Sequence, residues 1–429
     1  MRSLAEWLDY QQRIHPRSIE LGLARVGEVW RRMGAPVPAP VVITVGGTNG
    51  KGSTVAFLEA MLAADGKRVG CYTSPHLLRY NERVRVAGVD VDDALLIEAF
   101  ERIEAAREVA TVDEIPLTYF EFGTLAALWI FSRAGLDAAL LEVGLGGRLD
   151  AVNIIDADAA VVTTVDLDHQ DWLGNDRDSI GREKAGIFRV GRPAIIGMRE
   201  PMQGLLEETT RLGADMVRAG HDYTVIVRDA GWQWHSGASG LELPLPTLAA
   251  ACQVDNAAAA ITAIFKLRDR LGWSPGALGV GVRKARVPAR LQLLATPGAA
   301  DVIVDVAHNP QAARELARWL GDNPIAGRTF AVFGALDDKD VGGIVTPLLP
   351  YIDSWILAGL AGLTSRGLPV APLQAHVRAA ASPSVAAACD DPRTALARAC
   401  ALASPQDRVV AFGSFYVAAE VLEAMKAGD

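Results

Sequence analysis

The sequence predicts an α/β protein built on parallel sheets, and three observations carry that prediction. Short apolar runs alternate with helical ones along the 429 residues, as they do when crossover helices join parallel strands and cover both faces of a sheet. One such run, Val41 to Val45, breaks into Gly46-Gly47-Thr48-Asn49-Gly50-Lys51-Gly52-Ser53-Thr54 and is followed by a helical stretch through Met61 and Leu62. Polar side chains then follow the carboxyl ends of several strands, where open α/β sheets bind their ligands.

Half of the residues are hydrophobic, enough for a large core, and the length suits two domains. A net charge of −9, with no lysine or arginine tract, excludes nucleic acid as the main partner. Cys71, Cys252, Cys389 and Cys400 lack metal-ligand spacing and read as reduced core thiols. The amino terminus carries Arg2, Glu6 and Asp9 in place of an apolar signal segment, and no run approaches the ~18 apolar residues of a membrane span. A cytoplasmic protein with no membrane partner is expected.

Pro36, Pro38 and Pro40 make a stiff lead-in to the first strand. In the glycine-rich turn after it, freed backbone N–H groups, the positive end of the following helix and Lys51 form a cradle for phosphate oxygens. Gly52 separates Lys51 from Ser53, so the spacing departs from the common G-x-x-x-x-G-K-[ST]. After the strand-like Val69 to Tyr72 comes Thr73-Ser74-Pro75-His76-Leu77, whose hydroxyls suit either a magnesium shell or simple turn initiation.

Ala138 to Leu141 is a strand closed by Glu142, a placement that suits a magnesium carboxylate opposite the phosphate loop; the plain alternative is a strand-terminal surface acid. Ala159 to Val165 runs into Asp166, Asp168 and His169, and the strand-end position favours a ligand over a structural histidine. Lys184, by composition alone, is a solvated helical lysine.

The stretch from Leu271 to Pro288 is rich in glycine, proline and arginine, and a domain boundary there gives domains 1–287 and 288–429. Strands at Val302 to Val304, Phe330 to Phe333, Trp355 to Leu357 and Val409 to Phe412 define the smaller domain, which has no glycine loop. Asp305-Val306-Ala307-His308-Asn309-Pro310 precedes an amphipathic helical run, Ala312 to Leu320, and reads equally as a nucleotide-facing cluster or a helix cap.

Taken together, TVGGTNGKGS, YTSPHL, TYFEFGT, LLEVGLGGRLDAVN, DHQDWLG, REKAGIF and DVAHNP span most of the chain. In this order they resemble the folylpolyglutamate synthase family, in particular its bacterial bifunctional branch, within the Mur ligase superfamily. The resemblance implies an ATP-dependent amide ligase with a P-loop N-terminal domain that binds ATP and the pterin, and a smaller Rossmann-like C-terminal domain. ATP is implied to lie between the domains. Its substrates would be L-glutamate, dihydropteroate and reduced folates, joined through an acyl phosphate, with ATP and two Mg2+ as cofactors in a monomer.

Carried over by motif, Thr48, Asn49, Gly50, Lys51, Gly52 and Ser53 would hold the phosphates, with Asn256, Arg290 and Asp305 on the nucleotide. Ser74, Glu142 and His169 would hold magnesium, joined by Lys184 as a carbamate; Lys51, Lys184 and His308 form the implied catalytic set. Ile19, Glu20, Leu21, Thr118, Leu149, Asp150 and Ala151 match the pteroate pocket. Two positions depart from the family pattern: Glu20 stands where aspartate is usual, and Ala289 where glycine usually precedes the arginine. The alternatives are a Mur-type cell-wall amino-acid ligase and a nucleotide-operated switch. The switch fares worse, since no Asn-Lys-x-Asp run occurs.

Overall fold

The computed structural model describes residues 2–15, 17, 19–108, 114–295, 298–381 and 384–426, Ala381 in its backbone alone. The chain divides into two compact units, Met1–Thr247 with Gln253–Arg286, and Leu248–Cys252 with Val287–Asp429. Among the described residues no helix is long and apolar enough to cross a membrane.

Eight strands form the main sheet of the larger unit: β1 (Val41–Gly46), β2 (Val69–Tyr72), β3 (Val84–Val86), β4 (Val89–Asp90), β5 (Ala138–Glu142), β6 (Ala159–Val162), β7 (Pro193–Ile196) and β8 (Asp215–Arg218). They lie in the order β4-β3-β2-β5-β1-β6-β7-β8, parallel from β2 to β8. The antiparallel pairings, β3 with β2 and β4 with β3, lie at one edge. Every residue of β1 is buried, as a continuous Val/Ile run requires when helices cover both faces. The chain leaves β1 toward β2 on one side while β6 to β8 extend the sheet on the other. That reversal opens a crevice at the carboxyl end of β1.

The register then decides what faces the crevice. Val45 pairs with Glu142, so the end of β5 is level with the turn that follows β1. The helix Tyr119–Arg133 is apolar on nearly every side and correspondingly buried. It starts from a reciprocal cap in which Thr118 and Glu121 satisfy one another's backbone N–H groups.

A three-stranded antiparallel sheet, β9 (Thr224–Arg228), β10 (Gly231–Ser236) and β11 (Ser239–Leu243), departs from the expected strand–helix alternation. Its signal is the period-two pair Trp232 and Trp234, both buried; Trp234 Nε1 donates to Thr262 Oγ1 at 3.0 Å. In the smaller unit, β12 (Gln292–Leu294), β13 (Asp301–Val304), β14 (Thr329–Phe333), β15 (Ser354–Ala358), β16 (Val385–Cys389) and β17 (Arg408–Phe412) form one sheet. Its order is β12-β13-β17-β14-β15-β16, antiparallel only at β12.

Two expectations need correction. β6 stops at Val162, not Val165, because the Thr163 hydroxyl turns to the carbonyls of Gly46 and Asn49, at 3.2 and 2.6 Å. Of the four cysteines only Cys71 is buried; Cys252 and Cys389 are half-buried and Cys400 is exposed. Within the glycine-rich stretch after Leu271, Pro275–Lys284 is a helix packed on the helix Lys51–Ala64.

Glycine is what permits that packing. A Cβ on Gly281 would lie 2.4 Å from Met61 Cα, against backbone that cannot swing aside. Gly281→Ala should therefore lower unfolding free energy by about 2 kcal/mol, the usual cost of overpacking. In the same urea titration Gly276→Ala, whose Cβ meets nothing within 4 Å, should be neutral or stabilising. Equal effects at the two positions would remove Gly281 as the contact that sets the helix spacing.

Candidate active site

The turn after β1 is shaped by close approach. Gly47 has φ +144°, and a Cβ there would sit 1.9 Å from Thr163 Oγ1; Gly50 has φ +87°, and its Cβ would sit 2.5 Å from Asn256 Oδ1. Both need glycine, for conformation and for space. The segment after β6 anchors the turn from the side: Thr48 N donates to the Thr164 carbonyl at 2.7 Å, and Asn49 N to Thr164 Oγ1 at 3.0 Å. Thr48 Oγ1 donates to the Asp166 carbonyl and accepts from Asp166 N, at 3.1 and 3.0 Å. Ser53 is buried in the first turn of the helix that follows.

Two lysines converge on this turn. Lys51 Nζ donates to the carbonyls of Gly47 and Thr48 at 3.2 and 3.1 Å. Lys184 Nζ donates to the same Gly47 carbonyl at 3.0 Å. Lys184 is 3% exposed, so the solvated reading suggested by its composition is wrong. The reason is local: its helix, Arg177–Ala185, closes on Gly147, where a Cβ would be 2.8 Å from the Glu183 carbonyl and 3.0 Å from Lys184 Cα. Burial, and then the charge of Lys51, bring the Lys184 amine down to about 7, against the opposing pull of Asp168 and Asp150.

Glu142 is buried, its Oε2 accepts from Ser74 N at 3.1 Å, and both carboxylate oxygens lie 3.8 Å from where a Cβ on Gly52 would be. Ser74, Glu142 and the loop helix are thus brought together. His169 lies beyond the strand end, in the left-handed region at φ +52°, as the N-cap of the four-residue helix Gln170–Leu173. Its side chain is 33% exposed, with Nε2 3.9 Å from Asp168 Oδ1. His76, in the turn after Ser74, accepts from Arg83 Nε at 2.8 Å; burial, then the Arg83 charge, lowers it to about 4.

Among the described residues no three of His, Cys, Asp and Glu converge as a ready metal site. The donor set read from the motifs contains only two such residues, Glu142 and His169, beside a hydroxyl. That composition fits magnesium, which takes one or two protein carboxylates and fills its shell with water and phosphate oxygens.

The residues matched by motif to a pteroate pocket come from three distant segments, and the structure joins them. Gly22 N donates to the Leu149 carbonyl at 3.1 Å, tying Ile19, Glu20 and Leu21 to Leu149, Asp150 and Ala151. Arg25, absent from the motif reading, bonds Glu20 Oε1 at 2.5 Å and Glu121 Oε1 at 3.1 Å; Glu121 Oε2 accepts from Thr118 N at 2.8 Å. Asp150 is buried and accepts from Leu145 N and Val152 N at 2.8 and 3.0 Å. Burial raises its carboxyl to about 6, with those N–H groups pulling the other way. The side chains of Thr118 and Asp150 are therefore engaged as caps.

In the smaller unit Asp305 is held by the N–H groups of Leu291 and Ala307 at 2.8 and 2.7 Å, and burial raises its carboxyl. The cap of the next helix, Pro310–Asp322, is Asn309, not Asp305. His308 Nδ1 lies 2.7 Å from the Val306 carbonyl. Phe415, a residue the motifs do not single out, has its ring centroid 5.6 Å from the Arg290 guanidinium and 5.9 Å from the His308 ring. Ala289 sits at φ +52°, the conformation in which the family's usual glycine is at ease.

Residues 45–264 match the Mur ligase middle domain, and residues 289–415 the Mur ligase glutamate ligase domain. The Escherichia coli K12 dihydrofolate synthase/folylpolyglutamate synthase is 45% identical over 426 residues, covering 99% of this chain and 96% of that protein. A structure of E. coli FolC with DHPP and ADP superposes with a TM-score of 0.91 at 43% identity, covering 100% of this chain and 98% of that one. A bifunctional folylpolyglutamate synthase/dihydrofolate synthase with Mn, AMPPNP and L-glutamate bound gives 0.89 at 42% identity, covering 99% and 98%.

The buried amine has a measurable signature. Lys184 titrates at about 7 in the folded protein against 10.5 ordinarily, so between those values the unfolded chain binds more protons and stability rises with pH. Below about 7 both states are protonated and the contribution is flat. Unfolding free energies from urea titrations of the unliganded protein should climb from pH 7 to pH 9 relative to Lys184→Met, by at most about 1.4 kcal/mol per pH unit. Parallel pH curves for the two proteins would show that Lys184 is not a depressed amine.

Proposed function

This chain belongs to the dihydrofolate synthase/folylpolyglutamate synthase family of Mur ligases, and from that premise we infer that its loop site activates a carboxylate with ATP for attack by L-glutamate. It is an ADP-forming carboxylate–amine ligase that joins glutamate to dihydropteroate and, in later rounds, to reduced folates. Family membership sets aside the cell-wall ligase and the nucleotide switch. The observation that carries the reading is the convergence of Lys51 and Lys184 on the Gly47 carbonyl beside a turn whose next helix faces Glu142.

A carboxylate is a poor electrophile. Transfer of the γ-phosphoryl group makes an acyl phosphate: an acceptor carboxylate oxygen bonds to phosphorus as the bond to ADP breaks. The glutamate amine then attacks the acyl carbon, loses a proton, and expels inorganic phosphate. Residues Thr48 to Ser53 orient the phosphates through backbone N–H groups, and Lys51 exchanges its two carbonyl contacts for phosphate oxygens as charge moves across the transferring group. Asn256, Arg290 and Asp305 are assigned to the nucleotide, and His308 to the catalytic set, by motif.

Ser74, Glu142 and His169 would hold magnesium, which when bound neutralises charge on the phosphate oxygens. For a second ion the donor is Lys184 as a carbamate. Its near-neutral amine leaves a substantial fraction unprotonated at physiological pH, able to add CO2 and release a proton. Ile19 to Leu21, Thr118 and Leu149 to Ala151 are assigned to the pteroate. A cytoplasmic monomer completes the proposal.

Oxygen transfer tests the intermediate. With ¹⁸O in the acceptor carboxylate, one label per turnover should appear in the released phosphate; unlabelled phosphate during demonstrable amide formation would eliminate the acyl phosphate. Lys184 has its own test. Lys184→Ala should lose roughly a hundredfold in activity while remaining folded, with partial recovery when a short carboxylate is added. An unmodified ammonium at Lys184 in a magnesium-loaded crystal structure, with no metal in reach, would defeat the carbamate.

A further inference from the structure

Arg25 takes no part in the phosphoryl chemistry, yet three groups around the pteroate residues depend on it. It is the second residue of the helix Ala24–Arg32, whose N-cap Leu23 makes no side-chain cap bond. A cation there opposes the helix dipole, so helix formation does not explain it. Its Nη1 donates to Glu20 Oε1 at 2.5 Å. Its Nη2 donates to the Glu20 carbonyl at 3.2 Å and to Glu121 Oε1 at 3.1 Å. One nitrogen thus joins the backbone of the Ile19 to Leu21 segment to the carboxylate that closes the cap on Thr118.

Glu121 makes this junction consequential, because its side chain is only 3% exposed while that of Arg25 is 21% exposed. A carboxylate so buried needs its cation, and removing one partner of such a pair is far more disruptive than the pair is stabilising. The Thr118 cap would have to rearrange. Glu20 is gripped by Arg25 at both its carboxylate and its carbonyl, with His15 Nε2 3.5 Å from the second carboxylate oxygen. The glutamate at this position, one methylene longer than the family's usual aspartate, is what reaches Nη1 here.

We propose that Arg25 is a positioning residue for the pterin substrate: its guanidinium fork sets the spacing between the Ile19 to Leu21 segment and Thr118, and so the width of the pteroate site. The proposal rests on the function inferred above. It predicts a defect confined to one substrate, since no contact of Arg25 runs to the phosphate loop among those described.

The test is steady-state kinetics of the full chain with ATP, L-glutamate and dihydropteroate, alongside equilibrium titration of dihydropteroate. Arg25→Ala should raise KM and Kd for dihydropteroate roughly tenfold or more, with KM for ATP changed less than about twofold. Arg25→Lys keeps the charge but not the planar fork and should fall between the two. Dihydropteroate constants near wild type in the variants, or a matching rise in KM for ATP, overturn the proposal. If Arg25→Ala does not fold, the lysine variant decides by the same criterion. A wild-type protein that binds dihydropteroate without ligating it would contradict the function and leave the binding arm to judge Arg25; one that does not bind it contradicts both.

Discussion

The backbone of Gly47 is the constraint on which the site depends. At φ +144°, with Thr163 Oγ1 only 1.9 Å from the place of a Cβ, this residue can carry no side chain. The absence of one lets the segment after β6 grip the turn, through Thr163 Oγ1 to the Asn49 carbonyl at 2.6 Å and Thr48 N to the Thr164 carbonyl at 2.7 Å. The Gly47 carbonyl is then available to two amines from different helices. Burial, with the charge of Lys51 beside it, is what lowers the Lys184 amine there. The depressed basicity of Lys184 is thus a consequence of the geometry that Gly47 permits.

Burial moves two other acids in the opposite sense. The carboxyls of Asp150 and Asp305 are both raised, with backbone N–H groups opposing the shift in each case. Each is tied to two amides, so these acids fix loop shape at the ends of strands. For Asp150 this means that a substitution disturbs the loop through the backbone of Leu145 and Val152.

Much of this was legible in the sequence, and what was not has definite causes. The turn after β1 could be read because glycine spacing reports backbone conformation, which is local. Glu142 could be placed because an apolar strand ending in an acid also locates its partner strand in a parallel sheet, and the register of Val45 with Glu142 agrees. Lys184 could not be read from composition, because its burial comes from Gly147 and the loop behind it, far off in sequence. The helix Pro275–Lys284 was hidden by its own glycines, which serve close helix packing but give the stretch the composition of a domain boundary. The antiparallel sheet was hidden by an expectation of uniform alternation, although Trp232 and Trp234 carried its period.

The two departures from the family pattern differ in how the fold accommodates them. Glu20 is compensated by a partner, since its longer side chain reaches Arg25 and His15, and the extra methylene is absorbed in the side chain. Ala289 has no such recourse, because its demand is on the backbone: φ is +52° and the residue is buried. A left-handed alanine costs about 1–2 kcal/mol. What holds it there is the bonding on either side, Ala289 N to Gln292 Oε1 at 2.9 Å and Val306 N to the Ala289 carbonyl at 3.1 Å. The Asp305 carboxylate adds the Leu291 amide two residues on. The strain is stored immediately before Arg290, so the same contacts that maintain it also fix where that arginine leaves the backbone, and the cost of the alanine is met without moving the guanidinium from Phe415.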